Sequence, residues 1–486
     1  MNEDLARRSV NSVKWNAVSN ILVNLIAFAQ TIILARLLPV ESFGIYAGAA
    51  SIIVLTNGFA TFGMGSAFLH RCEETEDIEK TAAIHFTLQF IIIIVWTIVL
   101  LCVGFLLLDR SEPGSLTAFV VLTLTNTIKN LASTPRLILS RQIRFQRIAL
   151  LSALDAVVTF ISAVLLALLD QPIWALLATN ISNAVLQVVV FYLWRPVWRP
   201  KFLWDQKIMR YFFRFGSRQL LSGFLLNALD RGDDYWTKTY LGAGSLGYYS
   251  RAYAMAKMPA NVIAAPLSTV AGSTYAELKG DPEGLTQAFF ETNSILIRSG
   301  FLLVGVLALV APEFIRIVLG EKWMPMLVTF RLMLPFTMFD PLKLMMANLF
   351  MAVGKLEVIV KIRSIQAAIL VIFLFVLGLP FGIEGVAIAV DLMMVAGITM
   401  ILFKAKDHVE IFVRKMFLVP AIGLLAGLLA GFAGSHIQGV ELTDWFSGII
   451  KAFTFVLVYI LVLWLLEKDQ IQRMLKLTNK YIFGKR

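Results

Sequence analysis

The sequence predicts an all-α polytopic membrane protein of about fourteen transmembrane helices: two parallel six-helix repeats and two further helices at the C-terminal end. Three observations predict it. Of 486 residues, 58% are hydrophobic and only 15% charged, with a mean hydropathy of +0.77; soluble domains run at about 45–50% apolar and about 25% charged. Apolar windows long enough to cross a bilayer recur along the whole chain. Lysine and arginine also favour alternate connections, as multi-pass topology requires. This composition excludes a soluble enzyme, a disordered chain and a fibrous protein. The net charge of +11 reads as basic loops at a membrane surface, and no nucleic-acid partner is expected.

The spans fall at about 13–37, 43–68, 81–108, 115–138, 148–169, 172–194, 211–241, 245–276, 286–318, 323–351, 356–379, 382–403, 416–435 and 444–466. The first is too long and too polar for a cleavable leader, so no signal peptide is expected. The seventh is interrupted by Asp230-Arg231-Gly232-Asp233-Asp234. One set of connections carries 27 basic residues; the opposite set carries only Arg36, Arg110, Lys238 and Lys322. Both termini are therefore expected in the cytoplasm. The chain also repeats itself. Shifted by 203 residues, Ser19, Leu22, Asn24, Leu38, Ser42, Gly44, Tyr46 and Ala49 fall on Ser222, Leu225, Asn227, Leu241, Ser245, Gly247, Tyr249 and Ala252. Six spans fit within that shift, so the copies share one orientation, a transporter architecture with substrate handled between the halves. The expected division is a first lobe at 1–194, a basic connector at 195–210, a second lobe at 211–405, two additional spans within 406–466 and a basic tail at 467–486. The tail is amphiphilic and is expected to lie on the inner leaflet, in contact with membrane lipids.

In a bilayer a polar side chain needs a partner or a hydrated cavity, so its helical spacing carries information. Span one places Ser12, Asn16, Ser19, Asn20, Asn24 and Gln30 in one sector, and span four does so with Thr123, Asn126, Lys129, Asn130, Ser133 and Arg136. Span six adds Asn180, Asn183 and Gln187; span seven adds Arg214, Arg218 and Ser222. An isolated Asn in such a place usually bonds a neighbouring helix. Several long stripes, two of them cationic, read instead as the walls of a hydrated, positively charged cleft. A central Lys or Arg costs at least ~2.5–3.5 kcal/mol on insertion scales. The deep residues Lys129, Arg218, Arg251 and Arg298, with Asn20, Asn24 and Asn126, are therefore the substrate-binding candidates. They suit an anionic substrate, and Arg in particular matches phosphate oxygens two at a time.

The intramembrane carboxylates form a second group. Asp230, Asp233 and Asp234 share a stripe, with two readings: neutralisation, Asp234 pairing with Lys238 at i,i+4, or a proton or sodium site. Asp340, next to Pro341 and near Lys343, and Asp391, midway along span twelve, are either structural partners or coupling residues, as is Asp155. The ion-coupling candidates are Asp230, Asp233, Asp340 and Asp391. No cofactor and no metal are expected beyond that coupling ion. Cys72 and Cys102 show no pairing pattern, and the four histidines form no ligand-like cluster. There is no P-loop and no catalytic set, so the chain does not read as an enzyme.

The stretch Ile33-Leu34-Ala35-Arg36-Leu37-Leu38-Pro39 followed by Phe43-Gly44-Ile45-Tyr46 resembles the signature that ends the first span in polysaccharide transporters of the MOP flippase superfamily. Arg141-Gln142-Ile143-Arg144-Phe145, Leu241-Gly242, Gly247-Tyr248-Tyr249-Ser250, Met258-Pro259 and Leu319-Gly320-Glu321-Lys322-Trp323 match in order. The similarity covers roughly residues 10–405 and is strongest to the Wzx-type lipopolysaccharide and exopolysaccharide exporters. It implies two six-helix lobes forming a V in the cytoplasmic membrane and transport by alternating access. It also implies a polyprenyl-pyrophosphate-linked oligosaccharide as substrate, with polysaccharide polymerase and glycosyltransferases as partners. A cation-coupled drug antiporter of the same superfamily is the alternative; deep basic residues count against it, because its substrates are usually cationic. A membrane polymerase or ligase is a third reading, disfavoured by the short outward connections. The acid-rich segment from Asp230 to Asp234 departs from the family pattern.

Overall fold

The computed structural model describes residues 23–71, 78–107, 112–141, 145–194, 196–436 and 444–483. The described residues form helices, with no strand among them. In chain order these are α1 (Val23–Leu37), α2 (Val40–Thr61), α3 (Met64–Arg71), α4 (Ile78–Leu107), α5 (Ser115–Leu131), α6 (Ser133–Arg141), α7 (Phe145–Leu168), α8 (Pro172–Val188), α9 (Gln206–Glu277), α10 (Pro282–Phe314), α11 (Leu327–Leu332), α12 (Leu334–Ala352), α13 (Leu356–Phe373), α14 (Leu379–Ala405), α15 (Val413–His436) and α16 (Asp444–Phe483). Eight described helical stretches are long and apolar enough to cross a membrane by length and composition. Spans four, seven, eight and ten fall outside that set, as does the described part of span one, and the five hold most of the polar and charged positions singled out above. Spans one and seven, like four and ten, correspond under the 203-residue shift.

Several spans are broken where the backbone leaves helical geometry. The long α9 is divided at Gly242 (φ 85, ψ 175), which separates spans seven and eight. A side chain would disfavour that positive φ, and glycine admits it. Span two is split into α2 and α3 at Phe62 and Gly63, both at positive φ.

The chain parts into two compact units, residues 1–247 and 248–486. In the first, one core gathers Phe68, Ile84, Phe86, Trp198 and Phe212, and another gathers Ile53, Ile93, Trp96, Phe119 and Leu177. Helix α2 crosses the chain just after the Gly242 break at very short range. A Cβ on Gly44 would collide with the Ala243 carbonyl, and one on Gly247 with the Val40 carbonyl. Val40 and Ala243, like Gly44 and Gly247, are equivalent under the repeat, so each copy supplies the same glycine to the same contact. Small residues let helix backbones approach this closely in lipid.

In the second unit α15 and α16 are integrated into the core. Phe455 fills the space beside Gly305 of α10 and Gly427 of α15. It packs with Ile297, Phe301, Met416 and Tyr459. The Tyr459 hydroxyl donates to the Arg298 carbonyl at 2.8 Å.

Candidate functional site

Polar side chains of the first unit meet in hydrogen-bonded groups of amides and hydroxyls. Asn180, Asn183 and Gln187 sit at i, i+3 and i+7, one face of α8. Asn126, Lys129 and Asn130 do the same on α5. Lys129 Nζ donates to Asn180 Oδ1 at 2.9 Å, and Asn180 Nδ2 donates to the Tyr46 hydroxyl at 2.7 Å. Asp155 accepts from Asn183 Nδ2 at 2.7 Å, and Asn183 Oδ1 accepts from Gln187 Nε2 at 2.7 Å. On α2, Asn57 Oδ1 accepts from Asn126 at 3.1 Å and from Asn130 at 3.5 Å. Lys129, bonded to Asn180, and Asn126, bonded to Asn57, thus sit in separate hydrogen-bonded groups presented by α5. Asn24 is exposed on α1, while Asn20 and the side chain of Arg218 lie outside the described residues. The substrate-binding candidates omit Tyr46, Asn57, Asn130, Asp155, Asn180, Asn183 and Gln187; the α8 spacing signals Asn180, Asn183 and Gln187, and no such spacing signals Tyr46 or Asn57 on α2.

The acid-rich segment resolves differently from the expected i,i+4 pair. Asp234, buried at 2% exposure, takes Arg231 at 2.8 Å. Lys238 instead pairs with Glu112, in the turn before α5. The reason is steric: the Lys238 stem lies over Gly48 of α2, which carries its ammonium towards that turn. Asp233 is buried on the same helix and Asp230 partly so.

The second unit holds its charges in two ways. Arg298 lies in the α10–α15–α16 core with all three guanidinium nitrogens engaged. Nε and Nη2 reach Glu467 Oε2 at 3.1 and 2.5 Å, Nη1 reaches the Ser294 carbonyl at 3.1 Å, and Nη2 also reaches the Lys415 carbonyl at 3.4 Å. Glu467 stands where α16 kinks, at φ −141 and ψ 36. Towards the other end of α10 and α16, Lys451 pairs with Glu313 at 2.5 Å and Arg316 with Asp444 at 3.1 Å. Around α12 the cations rest on aromatic faces. Arg251 stands over Trp323 at 5.7 Å, and Lys257 over Tyr253 at 5.2 Å and Phe336 at 5.9 Å. Lys343 approaches the same Phe336 ring at 6.0 Å and pairs with Asp340 at 3.1 Å. A π face supports a cation electrostatically without cancelling its charge. Asp391, partly buried on α14, has an Oδ1 with no hydrogen-bond partner among the described residues. Among the described residues no cluster of three or more His, Cys, Asp or Glu could hold a metal ion.

This helix order is shared with solved membrane transporters. The structure superposes on the lipid II flippase MurJ in an inward closed conformation with a TM-score of 0.78, at 16% identity, covering 94% of this chain and 99% of that one. It superposes on an inward-facing multidrug resistance MATE transporter of the MOP superfamily with a TM-score of 0.61, at 19% identity, covering 79% of this chain and 94% of that one. At such identities the likeness is one of fold: the protein is a multi-pass membrane protein with the architecture of MOP-superfamily transporters. Within that class the chain belongs to the polysaccharide biosynthesis protein family, whose profile residues 33–328 match. It is 22% identical over 382 residues to the lipopolysaccharide biosynthesis protein WzxC of Escherichia coli (strain K12), covering 78% of this chain and 76% of that protein. To the teichuronic acid biosynthesis protein TuaB of Bacillus subtilis (strain 168) it is 25% identical over 333 residues, covering 66% of each, just under two thirds.

Proposed function

We propose that this protein is an alternating-access flippase of the cytoplasmic membrane, with both termini in the cytoplasm. Its cargo is a polyprenyl-pyrophosphate-linked oligosaccharide destined for a cell-surface polysaccharide. The observation that carries the reading is the set of cations held on aromatic rings within the spans of a polysaccharide-biosynthesis chain. Arg251 and Lys257 are retained where insertion of each is costly, and an anionic head group is the ligand that such charges attract; Lys343 already serves Asp340. Relatives named for lipopolysaccharide and teichuronic acid synthesis, and a structural neighbour that is a lipid II flippase, support the same class of cargo. Glycosyltransferases and a polymerase are the partners this role implies.

Arg251 is assigned to the pyrophosphate. Arg298 is assigned to holding the C-terminal helices, because its donors already serve Glu467 and two carbonyls. For the coupling ion, Asp391 is the carboxylate tested first, beside the more deeply buried Asp233; Asp340 already serves Lys343. The lobes 1–194 and 211–405 supply the moving parts, the head group crossing while the lipid tail stays in the bilayer.

The test is reconstitution of the full chain into proteoliposomes with a defined polyprenyl-pyrophosphate glycan on one leaflet. Transfer to the other leaflet, dependent on an imposed proton or sodium gradient and losing that dependence in Asp391→Asn, is expected. Export of cationic drugs with no glycan transfer would replace this reading by the antiporter one.

A further inference from the structure

Helices α13 and α14 enclose a groove of about 640 Å³ that plays no part in the reading above. On α13 it is lined by Lys355, Val358, Lys361, Ile362 and Ile365, and on α14 by Thr399, Met400, Phe403 and Lys404. These positions recur at three- and four-residue steps, so each helix gives one face to the groove. The two ends differ in chemistry. Lys355, Glu357, Lys361, Lys404, Asp407 and His408 ring the end at the start of α13 and the close of α14. From there inward the walls become apolar, through Ile362 to Ile365 and Met400. The ten residues from Lys355 to Ile365 rise roughly 15 Å along a helix, about half the ~30 Å hydrocarbon core of a bilayer. Ile365 and Phe403 are both exposed on the protein surface, so the groove opens sideways.

A cavity with cations at the water line and one leaflet's depth of apolar wall has the shape of an amphiphile. We propose that it is a binding site for an anionic diacyl phospholipid of the leaflet that faces the basic loops. Three lysines against Glu357 and Asp407 leave one net positive charge among these lining groups, which matches a singly charged phosphodiester better than the more highly charged diphosphate of a lipid-linked glycan. Basic pockets between transmembrane helices on the cytoplasmic side take such head groups. The Lys355 backbone also leads into the N-terminus of α13, where no side chain caps the first turn, so backbone N–H groups add to the lysines. The lipid bridges α13 to α14 and fills a space that apolar side chains would otherwise leave to solvent.

The experiment is native mass spectrometry of the full chain in detergent, titrated separately with phosphatidylglycerol, phosphatidylcholine and undecaprenyl phosphate. The wild type is expected to retain phosphatidylglycerol in preference to phosphatidylcholine. The Lys355→Gln/Lys361→Gln/Lys404→Gln variant should bind it roughly a hundredfold more weakly, since each basic residue near an anionic head group is worth about fivefold. Met400→Trp, which fills the apolar wall and leaves every lysine in place, should lose the lipid as well, and it carries the test if the triple variant does not fold. Undiminished phosphatidylglycerol binding by either folded variant would overturn the proposal. So would equal binding of phosphatidylcholine, or a site taken by undecaprenyl phosphate and not by phosphatidylglycerol.

Discussion

Two deep arginines of the second unit look alike in the sequence and have different fates in the structure. Arg298 on α10 is 4% exposed and saturated by Glu467 and two carbonyls. Arg251 on α9 lies partly buried against Trp323. The difference teaches that cost of insertion marks a charge as useful without saying for what. The Glu467 carboxylate, taking two Arg298 donors on one oxygen, neutralises its arginine and fixes two helices together, whereas a ring face attracts a cation without itself supplying a countercharge. The polar interior of the first unit offers a third solution. Its amides and hydroxyls bond one another, so helices are joined without the desolvation cost of burying many ions.

The comparison can be broken at its strongest point first. Glu467→Ala leaves the Arg298 charge buried without its carboxylate, a change that costs about 3–5 kcal/mol when one partner of such a pair is removed. The expected outcome is a large drop in the thermal midpoint of the detergent-solubilised protein, measured by loss of the monodisperse peak on heating. An unchanged midpoint would remove the structural assignment of the pair. The amide network of the first unit should respond less. Asn57→Ala withdraws the acceptor shared by Asn126 and Asn130, worth about 0.6–1 kcal/mol by the usual intramembrane scale, so a shift several times smaller than that of Glu467→Ala is expected in the same assay.

The smallest effect belongs to a charge outside the bilayer. The Lys80 ammonium lies 2.9 Å from Asp205, and the Ile208 and Lys207 N–H groups at the start of α9 donate to the same carboxylate. Together they hold the Asp205 carboxyl below the usual carboxylate range. A depressed carboxyl contributes stability that is complete above its unfolded value, near 3.9, and is lost as pH falls through the lower folded value. Asp205 is partly exposed, so the contribution is small and screened by salt. Asp205→Asn should slightly flatten the acid limb of the stability profile and leave the neutral-pH midpoint almost unchanged; a midpoint lowered as much as by Glu467→Ala would contradict this ranking.

Composition and the recurring apolar windows made the all-helical membrane fold legible, and Asn180, Asn183 and Gln187 announced a polar face through their spacing alone. Partners were harder to read. Glu467 lies 169 residues beyond Arg298, and no periodicity within either helix links them. The i,i+4 rule offered Asp234 to Lys238, yet Gly48 on another helix leaves room for the lysine stem to turn towards Glu112. The ring supports were missed for a similar reason. Lys257 and Tyr253 are i,i+4 neighbours on one helix, but Phe336, which both Lys257 and Lys343 approach, comes from α12. A single sequence reports the depth of a charge well and the group that receives it poorly.

The central claim is that anion handling rests with Arg251 and not with Arg298, whose guanidinium is committed to Glu467. The most direct measurement is the initial rate of lipid-linked oligosaccharide transfer in proteoliposomes for two folded variants, Arg251→Ala and the double variant Arg298→Leu/Glu467→Leu. Replacing both members of a buried ion pair by apolar residues is often neutral or stabilising, so the double variant should fold and transport at a rate close to wild type. Arg251→Ala should reach the membrane normally and lose at least about a hundredfold in rate, the scale set by one well-formed charge-assisted contact of about 3 kcal/mol. An inactive double variant beside an active Arg251→Ala would contradict the account.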